Sequence, residues 1–256
     1  MFKIGLKLFS TNNYYLTSAK ELYREGVYDF IELLPVPGSY RQTLGWWKEL
    51  DIPFVIHAPH FSFGVNLGRA DLHEKNAHII KESLQFADAL EARYVICHPG
   101  AESDIEETAR QLFAFNDKRI LVENKPFSTN DRKHKFNGAS FEEISFIIER
   151  SKVGFCLDIS HCIASATAVN KDWLEYLFLF SSLNPSIYHV SDGFTNSGID
   201  THEHIGKGDF DWDKILPFIP QNAWVTLETA KDSKENLDDF AKDVQAFQKL
   251  ALRKID

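Results

Sequence analysis

Ligand-forming side chains recur at the ends of short apolar runs along this chain. The runs read PFVIHAPH, YVICHPG, RILVENKP, GFCLDISH, SIYHVSD and WVTLETA. In order they close on His57 and His60, His98, Glu123, Asp158 and His161, His189, and Glu228. The segment after the seventh strand adds Asp200, His202 and His204. Imidazole nitrogen and carboxylate oxygen are the donors that zinc takes, with manganese and iron(II) as alternatives. So many such groups gathered in one place repel one another and desolvate badly unless metal ions neutralise them. A lone histidine at a strand end is more often a satisfied core group. Six successive strand ends carrying a ligand type at the same register point instead to metal binding.

Residues this far apart in sequence need a scaffold that converges them. Strand patterns occupy 2–8, 28–35, 53–59, 94–100, 119–125, 153–159, 186–192 and 223–229. Several are near-continuous apolar runs, as buried parallel strands are. Helical patterns fill 17–25, 40–50, 71–90, 103–115, 140–151, 171–182, 211–218 and 234–253, the fifth opening on a capping box at Ser140. Eight βα units in 256 residues predict an α/β fold of the (β/α)8 TIM barrel type, one domain over 1–256. Such a barrel points every strand C-terminus at one mouth. The longer βα loops, at 60–70, 126–139 and 193–211, should carry substrate contacts. Glycines 193, 198, 206 and 208 should let the last of them wrap closely round a ligand.

Composition narrows the function classes. The chain is 44% hydrophobic and 25% charged, ordinary for a globular protein. No run is long and apolar enough to cross a bilayer, so no membrane association is expected. MFKIGLKLFS reads as a strand and not as a signal peptide. Cys97, Cys156 and Cys162 read as buried free thiols of a reducing cytoplasm. A net charge of -9 argues against tight nonspecific nucleic-acid binding, although bound divalent ions would add positive charge at the mouth. Arg132, Lys133, His134 and Lys135 read as a solvated loop rather than a phosphate contact. No obligate protein partner is evident. His57, inside its strand, and His204, two residues past His202, read as outer contacts to the ligands or the substrate, and Asp192 could orient the imidazole of His189.

The same motifs resemble the xylose isomerase-like TIM barrels, and within them endonuclease IV, the family 2 apurinic/apyrimidinic endonucleases. They are HAPHFSFGVNLG at 57–68, HPG at 98–100, VEN at 122–124, LDISH at 157–161, YHVSD at 188–192, DTHEHIGKGD at 200–209 and LET at 227–229. D-x-H-x-x-I-G-x-G is the most specific piece. The resemblance implies a trinuclear zinc centre with all nine ligand positions filled. His60, His98 and Glu123 would hold one ion. Glu123 would bridge to a second, held with Asp158, His189 and Glu228. His161, Asp200 and His202 would hold the third. The chain departs from the endonucleases elsewhere. Lys7 stands where a histidine is expected, Lys125-Pro126-Phe127-Ser128 replaces an A-G-Q-G loop, Thr201 replaces an arginine, and Phe63 and Gly64 fall where a DNA-penetrating Tyr and Leu belong.

The first functional reading is therefore a metal-dependent phosphodiester hydrolase, acting at abasic sites in DNA. Glu228 and Glu123 would be catalytic, Glu228 orienting the attacking water while ligating metal. The alternative is a sugar or sugar-phosphate isomerase or epimerase with a single metal on Glu123, Asp158, His189 and Glu228, the two glutamates serving as acid and base. Its small phosphorylated sugar would meet Lys7, Lys125 or Lys207. With His57 and His204, Lys125 and Lys207 are the expected substrate-binding residues. A non-catalytic metal- or partner-binding barrel is a third reading.

Overall fold

The computed structural model describes residues 2–252. Eight parallel strands close into a barrel in chain order. They are β1 (Lys3–Phe9), β2 (Phe30–Leu34), β3 (Phe54–His57), β4 (Val95–Cys97), β5 (Ile120–Glu123), β6 (Gly154–Asp158), β7 (Ile187–Val190) and β8 (Trp224–Leu227). The helices are α1 (Leu16–Arg24), α2 (Tyr40–Lys48), α3 (His73–Ala89), α4 (Ile105–Phe115), α5 (Phe141–Ser151), α6 (Ile159–Ala168), α7 (Trp173–Ser181), α8 (Trp212–Ile215) and α9 (Asp238–Leu252). Arg253, at the end of the last expected helix, lies outside the described residues.

Strand side chains alternate between barrel interior and helix layer. Phe30, Val55, Ile96, Leu121, Cys156 and Ile187 form one packed interior cluster, closed by Tyr94 and Trp224. Each fully buried apolar side chain there contributes on the order of 1.5–3 kcal/mol. Two residues further along the same strands stand Glu32, His57, His98, Glu123, Asp158 and His189. Lys7 pairs in register with Glu32, Asp158 with His189, and His189 with Thr226, two residues before Glu228. The interior is thus an apolar plug beneath a tier of ionisable residues contributed by the strands or, for His98 and Glu228, by the residue that follows the strand.

Three local features differ from the sequence reading. The sixth unit contains an additional helix, α6, which starts directly after β6. The Asp158 side chain caps it by accepting the His161 amide hydrogen. Ile159 to Ala166 are all buried, so this helix lacks the polar stripe by which an amphipathic helix is read. The second feature is the capping box of α5. Ser140 accepts from the Glu143 amide, but Glu143 reaches past Ser140 to the amides of Gly138 and Ala139. The third concerns the late glycines. A side chain at Gly208 would collide with the Gly193 carbonyl at 2.1 Å, and one at Gly193 with the Phe210 ring, so these two glycines pack the 193–211 loop against itself.

Candidate metal centre

The tier opens into a cavity of about 440 Å³ at the C-terminal end of the strands. Lys7, His57, His60, His98, Glu123, Lys125, His161, Asp200, His202 and Glu228 all line it. Asp158 and His189 are buried, and Asp158 Oδ2 lies 3.3 Å from His161 Nδ1. A neighbouring cavity of about 380 Å³ shares Lys7, His202 and Glu228 and runs out to Tyr14, Lys231 and Lys234. The structure therefore gathers every expected ligand and both expected catalytic glutamates.

Hydrogen bonds fix which imidazole nitrogens face inward. His202 Nδ1 donates to the Glu228 carbonyl at 2.8 Å, leaving Nε2 2.6 Å from Asp200 Oδ2. His161 Nδ1 lies 2.9 Å from the Asn124 carbonyl and 3.0 Å from Glu123 Oε1, so its proton is engaged there. Its Nε2 is left 3.2 Å from the same Asp200 oxygen. Asp200 Oδ1, buried, has no hydrogen-bond partner. Two imidazole nitrogens converging on one carboxylate, with an orphaned oxygen beside them, are a donor set that fits a divalent cation.

A second group gathers round His189. Its Nε2 donates to Glu32 Oε2 at 2.9 Å. Its Nδ1 then faces Glu228 Oε1 at 2.6 Å and Glu123 Oε2 at 3.5 Å, yet makes no hydrogen bond. Ligand atoms of Glu32, His57, His189 and Glu228 lie within 4.8 Å of one another, and so do those of Glu123, Asp158 and His161. The donor set fits a metal ion here too.

The third group is crowded. Glu123 Oε2 lies 3.1 Å from both His57 Nε2 and His98 Nε2. The His60 ring stacks on that of His98 with centroids 4.8 Å apart, while its Nδ1 is 3.2 Å from Ser62 Oγ. Burial pushes His60 down to about 3, so its ring is neutral and keeps a lone pair for a ligand.

Two lysines enter the cage. Lys125 Nζ is 3.3 Å from Glu123 Oε1 and 3.3 Å from His98 Nε2. Lys7 Nζ bonds Glu228 Oε1 and lies 3.4 Å from Glu32 Oε1. Burial opposes the charge on Lys7, but the carboxylates of Glu228, Glu32 and Glu123 outweigh it and hold its pKa above the ordinary lysine value. Burial, aided by Asp200, Glu123 and Glu228 and opposed by His161, raises Asp158 to about 6.

Glu32 is the residue that the strand-end reading missed. It sits mid-strand in FIELL, fully buried, and also accepts from Thr226 Oγ1 at 2.7 Å. A charge inside an otherwise apolar parallel strand was the available signal. Asp192 does not orient His189. It collects the amides of Gly193, Gly206 and Phe210 and the Trp212 indole, and so shapes the loop after β7. Two expected substrate contacts are not brought to the cavity. His204 is turned onto α9, with Nδ1 2.7 Å from Asp243 Oδ2 and Nε2 3.3 Å from Asp232 Oδ1. Lys207 is exposed on the far side of that turn. The His202 backbone just before them takes a positive φ of 50°.

The fold has counterparts among known proteins. A probable endonuclease 4 from Thermoplasma volcanium is 28% identical over 168 residues, which cover 58% of this chain and 57% of that relative. The chain thus matches less than two thirds of that protein's length. Endonuclease IV from Thermus thermophilus superposes with a TM-score of 0.72 at 21% identity, over 98% of this chain and 99% of that one. A D-tagatose 3-epimerase-like protein superposes with a TM-score of 0.71 at 18% identity, over the full length of both. At these identities the two solved structures support the barrel alone. The family model described as xylose isomerase-like TIM barrel matches residues 21–250. With a closed eight-stranded barrel and a match over most of its length, the chain belongs to the xylose isomerase-like TIM barrel family.

Proposed function

We propose that this protein is a divalent-metal-dependent phosphodiester hydrolase similar to endonuclease IV, acting on DNA at abasic sites. One observation carries the reading. His161, Asp200 and His202 bring ligand atoms within 4.8 Å of one another, in addition to the groups gathered round Glu123 and His189. A one-metal isomerase uses Glu123, Asp158, His189 and Glu228 and has no need of the His161, Asp200 and His202 group. With His60 and His98, these residues would hold up to three zinc ions, and manganese or iron(II) suits the same donors. Bound ions would supply Lewis-acid stabilisation of charge developing on the phosphoryl oxygens and a water of lowered pKa.

The chain's own groups prepare that chemistry. Lys7 bonds Glu228 Oε1 and His189 Nδ1 lies 2.6 Å from the same oxygen, which leaves Oε2 free. Lys7 and Lys125 present ammonium groups to the cavity, where they would meet an anionic substrate. Phe9, Leu34, Pro126 and Phe136 line the same space and limit water around the reacting group. His57 lines the wall beside Glu123. The three cysteines are free and buried, which suits a reducing compartment such as the cytoplasm. Among the described residues no helix is long and apolar enough to cross a membrane.

The test is nicking of a duplex carrying one abasic site by zinc-loaded protein, beside a panel of ketose and aldose phosphates. Cleavage that is lost with chelator supports the hydrolase. An intact duplex together with conversion of a sugar phosphate would overturn it in favour of an isomerase or epimerase. That second reading has one observation behind it. Glu228 and Glu123 both lie close to His189 Nδ1, at 2.6 and 3.5 Å, and so flank a single position as an acid–base pair would.

A further inference from the structure

We propose that the second cavity of the mouth binds one unpaired nucleotide beside the phosphodiester that is cut, with its phosphate on Lys231 and Lys234 and its base against Phe9 and Tyr14. The proposal rests on the hydrolase reading above and names a substrate subsite for it.

This cavity, of about 380 Å³, lies between the loop after β1 and the loop after β8. It meets the metal cavity at Lys7, His202 and Glu228, so a molecule held at the ligands can extend into it. Small-molecule sites run from roughly 300 to 1,000 Å³, which leaves room here for one nucleotide. The two loops are tied together, because the Tyr15 hydroxyl donates to the Ser233 carbonyl. Asn12 braces the first loop. Its Nδ2 donates to the Tyr14 hydroxyl at 2.7 Å, and its Oδ1 accepts from the Phe9 amide at 2.8 Å.

The wall carries uncompensated positive charge. Among the described residues that line the cavity Glu228 is the one carboxylate, and Lys7 bonds it. Lys231 and Lys234 are left to meet an anion. Lys231 Nζ donates to the Thr229 carbonyl at 2.7 Å, which uses one of its three hydrogens. Lys234 Nζ lies 6.0 Å from the centroid of the Tyr14 ring, so an ammonium and an aromatic face stand side by side. Thr229 Oγ1 is buried beside them without a hydrogen-bond partner. In a chain of net charge -9, ammoniums gathered on one wall mark where an anionic ligand is drawn.

The rings add the second half of the recognition. Phe9 is 45% exposed and Tyr14 42%. Open aromatic faces beside lysines make a stacking platform for a base and a track for its phosphate. A base inside a duplex has both faces covered by its neighbours, whereas an unpaired base can turn one to a protein ring. A sugar phosphate has no such face and would use the lysines alone.

The experiment titrates the zinc-loaded full chain with thymidine 3′,5′-bisphosphate and with 2-deoxyribose 5-phosphate by calorimetry. It also compares cleavage of an abasic site in a single strand and in a duplex. The bisphosphate should bind roughly tenfold more tightly than the sugar phosphate or better, as one base stacked on an aromatic ring implies. Tyr14→Leu should remove most of that advantage. Lys231→Met with Lys234→Met should weaken the bisphosphate about tenfold and flatten its dependence on salt. Zinc content should be unchanged in all variants, since none alters a ligand. If the double variant does not fold, Lys234→Met alone, at an exposed position, reads the phosphate contact. The single strand should be cut several-fold faster than the duplex, and Tyr14→Leu should narrow the gap. Equal affinity for the two probes, or folded variants that bind the bisphosphate like the wild type, overturns the subsite. A duplex cut as fast as the single strand overturns the assignment to an unpaired nucleotide. If neither substrate is cut the hydrolase reading fails, and the bisphosphate titration still decides the subsite.

Discussion

Glu32 Oε2 stands 2.9 Å from His189 Nε2, and both side chains are wholly buried. The carboxylate therefore selects the tautomer of His189 and turns its other nitrogen toward Glu228. Glu32→Leu should weaken zinc binding by roughly 10–100-fold, the range typical of lost partners behind a ligand imidazole. Glu32→Gln can still accept the imidazole hydrogen and should recover part of the affinity. Zinc titration against a competing chelator reads both. Equal losses in the two variants would show that Glu32 acts through its charge on Lys7 instead.

Asp200 and His202 separate the two functional readings. If the chain is a hydrolase, replacing both by alanine should slow phosphodiester cleavage roughly a thousandfold or more, several kcal/mol of barrier. If it is a one-metal isomerase, turnover of a sugar phosphate should survive the same change. Steady-state rates of the double variant on both substrate classes decide. Undiminished phosphodiester cleavage would sink the multinuclear hydrolase.

Glu123→Gln should lower the zinc count and abolish activity while the barrel stays folded. The residue touches His57, His98, His161 and Lys125, but the apolar plug beneath it is untouched. Elemental analysis together with far-ultraviolet circular dichroism tests this. Full zinc content in a folded variant would remove Glu123 from the ligand set.

His204 predicts a pH dependence of stability away from the centre. Its partial burial opposes the charged ring, but hydrogen bonds and charge from Asp243 and Asp232 outweigh this and raise its pKa in the folded state. A raised folded value means stabilisation that is complete below the unfolded value of about 6.5 and is lost as pH rises through the folded value. His204→Ala should therefore lower the melting temperature more at pH 6 than at pH 9. An equal loss at both would mean that the ring acts only by packing.

Much of this was legible in the strands. The strand-end ligands and the alternation of apolar runs with helical patterns were enough for the barrel and for most of the cage. What escaped has physical causes. Glu32 was missed because the count was taken at the ends of runs, whereas interior placement follows parity along the strand. Lys7, its neighbour in register, stands out in sequence as a departure from a motif and a candidate phosphate contact, not as a partner of Glu32. The α6 helix was missed because burial on all sides erases the 3.6-residue pattern. His204 turns to Asp243 and Asp232 instead of the cavity, a pairing with distant residues that local spacing does not encode.

The ionisable tier also marks how the strands must align. Side chains on a strand repeat with a period of two, so sliding any strand by one residue exchanges its inner and outer faces. Such a slip would press one member of the tier against a greasy helix and set an aliphatic group in the polar mouth. For β5 it would push Glu123 outward and bring Val122 in. Strands with apolar residues on both faces carry little alignment information of their own. In this barrel the residues suited to chemistry also reject mispaired folds, and substitutions that make the tier apolar should slow refolding and raise aggregation even where the native state remains stable.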